Sequence, residues 1–212
     1  GLSGSTNLAT IATALAGQER DPRLVLAVVL VVAGLGFKIA AVPFHMWAPD
    51  VYEGAPTPIS GFMAAGVKAA AFAAFLRVWL EAFPGVYAEW HKAVWWIAAT
   101  TMIVGNIIAL QQKNLKRMLA YSSIGHTGFI LVALAAGTPQ AATAFLFYLF
   151  AYTLATMGAF AVLIAVGQSG GSGDRIEDLH GLWSSNPGLA VAMMVFMLAL
   201  LGFPVFGGMG FF

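Results

Sequence analysis

From Ile59 to Trp79 the chain reads ISGFMAAGVKAAAFAAFLRVW, an apolar run with Lys68 near its middle. No other charged residue lies within eight positions of it on either side. Roughly 20 apolar residues in a helix cover the hydrocarbon layer of about 30 Å. A cation at that depth costs about 3 kcal/mol on insertion scales and is kept where it faces a protein interior or water. Lys68 lies about 15 Å from the end of the run by helix rise, too far for its side chain to reach the headgroups. A second lysine, Lys38, ends the run LVLAVVLVVAGLGFK just before Pro43. Two lysines so placed suit a protein that moves charge better than they suit an anchor.

Composition limits the alternatives. Only 9% of the 212 residues are charged, 60% are hydrophobic and the mean hydropathy is +0.84. Soluble domains carry roughly 25% charged residues, so this chain cannot cover a water-facing surface. The net charge is +1 and the basic residues are scattered, which argues against nucleic acid as a partner. With no cysteine, disulfides, thiolate-held zinc and cysteine-ligated iron–sulfur clusters are excluded. The opening GLSGSTNLATIA has no basic stretch leading into an apolar one, and GGMGFF lies inside an apolar stretch. The expectation is an internal piece of a longer membrane subunit.

The pattern predicts an all-α, polytopic transmembrane helix bundle, read as a single domain over 1–212. Six spans are expected, at 22–41, 58–83, 90–112, 116–137, 141–166 and 187–203. Before them, Ser5 or Thr6 is expected to cap a short helix running to Ala16. Pro43 breaks the first span, a short helix is expected between Phe44 and Tyr52, and Pro204 breaks the sixth. These broken runs lie five spans apart and so cross in opposite directions, the pattern of inverted repeats with discontinuous helices. GQSGGSGDRIEDLHGLWSSNP forms a loop between the fifth and sixth spans, with a flexible Gly/Ser part and RIEDLHGLW on the surface. Arg20, Arg23, Arg77 and Lys92 fall on one side, and Lys113, Lys116, Arg117 and Arg175 on the other. Basic residues therefore do not orient the chain.

Burial makes a charge costly, so Lys68 is read as a group that accepts and releases a proton. Lys38 faces the carbonyls freed at the Pro43 break, which can bind an ammonium; otherwise it is a partner for the helix dipole at the interface. All nine carboxylates fall in loops or at span ends, so these lysines lack an internal counter-charge. His126 follows Tyr121, Ser122 and Ser123 and precedes Thr127, either as a proton relay or as an interhelical hydrogen-bond cluster. His45, near Asp50 and Glu53, either relays or gates protons or satisfies broken backbone. Lys116 either transfers protons or anchors the interface beside Arg117. Tyr148, Tyr152, Thr153 and Thr156 read as packing groups, and His91 and His180 as surface residues. No metal-ligand spacing, phosphate loop or nucleophile motif stands out.

The stretch FKIAAVPFHMWAPDVYEGAPTPISGFMAAGVKAA resembles the antiporter-like subunits of respiratory complex I. NLKRMLAYSSIGHTGFILVALAAG and LLGFPVFGGMGFF resemble the same family, and DVYEGAPTP is closer to its subunit N than to L or M. The resemblance implies about half of a fourteen-helix subunit of NADH:quinone oxidoreductase, built from two inverted five-helix repeats. It implies that Lys38 is the lysine of the first broken helix and Lys68 the connecting lysine of the next. A glutamate partner would lie upstream of Gly1. LLGFPVFGGMGFF would be the second broken helix, with its lysine beyond Phe212. The implied function is proton translocation through buried lysines, driven by quinone reduction elsewhere. The alternative is a cation/proton antiporter or a membrane-bound hydrogenase module of the same superfamily. The resemblance implies no cofactor on this chain, with NADH, FMN, iron–sulfur clusters and quinone carried by other subunits. Expected partners are the other membrane subunits and the bilayer. The expected location is the bacterial inner membrane rather than that of an organelle.

Overall fold

The computed structural model describes residues 3–16, 21–168 and 174–203. Helices dominate them, and the only sheet-like pairing among them is an isolated bridge between Asn114 and Arg175. Among the described residues, five stretches are long and apolar enough to cross a membrane: Pro22–Ile39, Thr57–Ala82, Trp90–Ala109, Leu115–Ala136 and Gln140–Gln168. The chain is a multi-pass membrane protein.

A short helix, α1 (Leu8–Leu15), is capped by Asn7, whose side chain accepts from the N–H groups of Ala9 and Thr10. The cap expected at Ser5 or Thr6 falls one or two residues late, because Asn accepts from the first turn at least as well as Ser or Thr. The first span, α2 (Pro22–Ile39), starts on an Asp21 cap with Pro22 in the first turn. It ends at Ala40, which stands at φ 58°, ψ 44°. That left-handed conformation costs an alanine about 1–2 kcal/mol. The Val42–Pro43 peptide is cis. The chain resumes as α3 (Trp47–Gly54), so the break at Pro43 is present and the short helix starts three residues later than expected.

The second span comprises α4 (Thr57–Phe62), a π-helical turn (Met63–Val67), α5 (Lys68–Arg77) and a second π turn (Val78–Ala82). Then come α6 (Tyr87–Ala109), α7 (Leu115–Ala136) and α8 (Pro139–Gln168). Asn114 caps α7 by accepting from the N–H of Arg117. After a surface segment with a short α9 (Leu182–Ser185), α10 runs from Pro187 to Leu201. The sixth expected span is thus a helix of 15 residues, stopped by Gly202 at φ 92°. The second break, at Pro204, lies outside the described residues, as does the Gly/Ser stretch at 169–173. The expected inverted repeat needs both breaks, and only the one at Pro43 falls within the described residues.

α6 and α7 form the closest pair because glycines face each other. A Cβ on Gly105 would lie 2.5 Å from the backbone N of Gly125, and one on Gly128 would lie 2.7 Å from the carbonyl oxygen of Ala98. Small residues of this kind let membrane helices approach where lipid supplies no hydrophobic drive. Two apolar clusters fill the bundle. One gathers Phe72, Phe75, Trp79, Trp90 and Phe145; the other gathers Tyr52, Ala64, Ile124, Phe160 and Met193. The outer faces carry Leu30, Phe37, Trp96 and Phe150, which suit lipid or protein neighbours better than water.

Candidate proton-transfer site

Lys68 follows directly on the π turn, between Ala64 of one apolar cluster and Ala71 of the other. It is 3% exposed. An ammonium has three N–H donors, and all three find acceptors on α7. Nζ donates to the carbonyl of Ser123 at 3.0 Å, to the hydroxyl of Ser123, and to Oγ1 of Thr127 at 3.1 Å. Every acceptor is neutral, and no carboxylate among the described residues pairs with Lys68. The sequence places these groups correctly because Lys116, Ala120, Ser123 and Thr127 recur at helical spacing on one face of α7.

Thr127 ties this site to the helix break. Its hydroxyl lies 3.0 Å from the Ile39 carbonyl and 3.0 Å from that of Ser123, and donates to either. Two other polar groups at the break are also taken. The Phe37 carbonyl accepts from Trp47 Nε1 at 2.9 Å, and the Val42 N–H donates to Thr101 Oγ1 at 3.0 Å. Of the two places expected for Lys38, these carbonyls or the helix end, it takes the second: it is exposed in the last turn of α2, because an indole and a threonine hydroxyl reach the carbonyls from packed neighbours.

His126 is buried on α7, and its Nδ1 lies 2.7 Å from the hydroxyl of Tyr148. Its ring centroid is 5.2 Å from that of Tyr152. Tyr152 places its hydroxyl 2.9 Å from Ser123 Oγ and 3.1 Å from the Ala64 carbonyl in the π turn. The two tyrosines expected only to pack therefore bond directly to the histidine and to the serine that holds Lys68. Tyrosine in an apolar run reads as bulk, and a spacing of four residues on α8 is the one hint of a shared face. Of the hydroxyls expected around His126, Ser123 and Thr127 belong to the lysine. Tyr121 instead lies beneath Arg117, 5.9 Å from the guanidinium carbon to the ring centroid.

His45 is buried in the turn after the break, and Nδ1 has no partner. Burial holds its pKa below the usual imidazole value. Asp50 and Glu53 do not turn to it; both meet Arg117, at 2.6 and 2.8 Å. Lys116, 4% exposed, pairs with Asp174 at 3.2 Å and donates to the Ala55 carbonyl at 3.1 Å. His91 is partly buried, stacked on Tyr87 with centroids 4.8 Å apart, while His180 is exposed.

Comparison with known proteins agrees with this architecture. The model of the family described as NADH:quinone oxidoreductase/Mrp antiporter, TM, matches residues 1–212. NADH-quinone oxidoreductase subunit N of Gemmatimonas aurantiaca is 50% identical over 100% of this chain and 41% of its own length. A chain of respiratory complex I from Thermus thermophilus with bound aureothin superposes with a TM-score of 0.73 and 46% identity, covering 87% of this chain and 40% of that one. A chain of the Mrp complex from Dietzia sp. DQ12-45-1b superposes with a TM-score of 0.84 and 25% identity, covering 95% and 37%. The chain thus spans about two-fifths of the length of the curated relative it matches. On the full-length family match and the 50% identity, this chain belongs to the NADH:quinone oxidoreductase/Mrp antiporter membrane family.

Proposed function

We propose that this chain forms the central part of a proton-translocating membrane subunit of NADH:quinone oxidoreductase, with Lys68 as the group that takes up and releases the proton. One observation carries the reading: a lysine 3% exposed within a membrane span, held by three neutral acceptors. Hydroxyl and carbonyl groups satisfy its donors without supplying an opposite charge, so a change of charge nearby shifts the balance between its two protonation states. His126, joined to Tyr148 and within Coulombic reach of Lys68, is the next group along. Lys38 would contribute from the exposed face of α2, against whatever packs there. His45 and Lys116 are lesser participants: one has an unpartnered buried nitrogen, and the other already faces a carboxylate. NADH, flavin, iron–sulfur clusters and quinone would sit on other subunits, and this chain would contribute no redox group.

The test is Lys68→Met in the full-length subunit, assembled in its complex in membrane vesicles. NADH-driven proton uptake should collapse while assembly survives. Uptake at the parent rate would sink the reading. A second reading, a cation/proton antiporter, is favoured by the superposition on the Mrp chain. Co-purification with flavin and iron–sulfur subunits separates the two.

A further inference from the structure

We infer that Tyr152 is a positioning residue for Lys68, acting through Ser123 to keep both protonation states of the lysine hydrogen-bonded. The inference rests on the reading of Lys68 as the proton-exchanging group. Tyr152 has one hydroxyl hydrogen and two acceptors within reach: Ser123 Oγ at 2.9 Å and the Ala64 carbonyl at 3.1 Å. Ala64 lies inside the π turn that leads into Lys68, and such turns widen the helix where function needs its backbone groups.

Counting donors shows what two acceptors achieve. With Lys68 as the ammonium, Nζ donates to Ser123 Oγ. The hydroxyl of Ser123 then donates to the Tyr152 oxygen, and Tyr152 donates to the Ala64 carbonyl. With Lys68 as the neutral amine, Nζ has a lone pair and needs a donor. The hydroxyl of Ser123 turns to it, and Tyr152 swings its own hydrogen to Ser123 Oγ. Nζ and Ser123 Oγ keep their partners in both states, and the Ala64 carbonyl gives up the tyrosine hydrogen when the lysine is neutral. Without the tyrosine hydroxyl, the Ala64 carbonyl and Ser123 each lose a partner at a site sealed from water. Tyr152 is itself 4% exposed, so water cannot readily stand in.

The titratable groups facing the site are His126 on α7, Tyr148 and Tyr152 on α8, and Tyr52 on α3, whose hydroxyl interacts with Ser123. α2 contributes the Ile39 carbonyl through Thr127, and its Lys38 is exposed. No carboxylate or arginine among the described residues pairs with Lys68.

The experiment is a double-mutant cycle in the full-length subunit within the assembled complex. The variants are Tyr152→Phe, Ser123→Ala and the pair, with Lys68→Met as a reference. The readout is the pH profile of NADH-driven proton uptake per assembled complex. Tyr152→Phe should displace the pH midpoint by about half to one unit, the roughly threefold-to-tenfold change that one buried hydrogen bond confers. In the Ser123→Ala background, Tyr152→Phe should add nothing, because the tyrosine acts through the serine. An unmoved midpoint, or additive effects of the two substitutions, overturns the inference. A purely structural tyrosine would lower assembly and scale uptake equally at every pH. If Tyr152→Phe does not assemble, Ser123→Thr against Ser123→Ala decides. The threonine should keep the parent midpoint and the alanine displace it, and equal behaviour of the two overturns the inference. If Lys68→Met pumps normally, the functional reading itself has failed; if only the tyrosine and serine variants are silent, the inference alone has.

Discussion

Two buried lysines along one face of α7, Lys116 at its start and Lys68 held by its Ser123 and Thr127, show how partners decide what a cation can do. Lys68 and Lys116 are 3% and 4% exposed. Lys68 meets a backbone carbonyl and two hydroxyls. Lys116 meets the Asp174 carboxylate and the Ala55 carbonyl at the start of α7, beside Arg117 with its two acidic partners. An ion pair holds its proton by charge, whereas neutral acceptors hold it only by geometry. The first arrangement fixes a helix end; the second is the one that the proposed function uses for proton exchange.

The comparison breaks most sharply if Lys68 is given the partner that Lys116 has. Ser123→Asp would place a carboxylate against Nζ. Assembly should persist and proton uptake should fall more than about tenfold, since an opposite charge within a few ångströms pins the proton. Undiminished uptake would show that neutral surroundings are not what matters. The converse change is smaller. Lys116→Met leaves Asp174 without its buried cation, a loss between the limits for surface and buried pairs, or about 2 kcal/mol. The complex should melt several degrees lower while each assembled copy pumps normally; lost pumping with unchanged melting would move Lys116 into the proton path. The smallest effect belongs to His45, which lies outside both sites. Its pKa is depressed in the folded chain by burial, so its contribution to stability is complete above the ordinary histidine value of about 6.5 and is lost as pH falls below it. His45→Gln should flatten the loss of thermal stability between about pH 7 and 5. A parent-like acid profile in that variant would remove His45 from the account.

Lys68 was legible because one charge in a long apolar run is expensive and therefore rare. Its acceptors were only half legible. Ser123 and Thr127 were visible as hydroxyls, but their lysine lies 55 and 59 positions away, and periodicity carries no information about pairing across helices. Tyr152 was missed for the same reason. Rotational phase puts Lys38 in the second of its two expected places, the helix end. Leu24, Val28, Val32, Gly36 and Ile39 form the buried stripe of α2, and Lys38 lies two positions beyond Gly36, on the far side of the helix. Because α2 is apolar all round, no polar face marked that stripe in advance. The break at Pro43 was readable from proline chemistry, but its hydrogen-bond partners Trp47, Thr101 and Thr127 were not, since all three lie on helices other than α2.

The central claim is that Lys68 must lose its proton, beyond merely carrying a charge. Arginine keeps a positive charge and does not deprotonate in proteins. The direct measurement is the number of protons taken up per NADH oxidised by the assembled complex bearing Lys68→Arg in the full-length subunit. The account predicts normal assembly with proton uptake reduced to the level of Lys68→Met. Uptake at the parent ratio would contradict it, because a group that never releases its proton would then be doing the lysine's work.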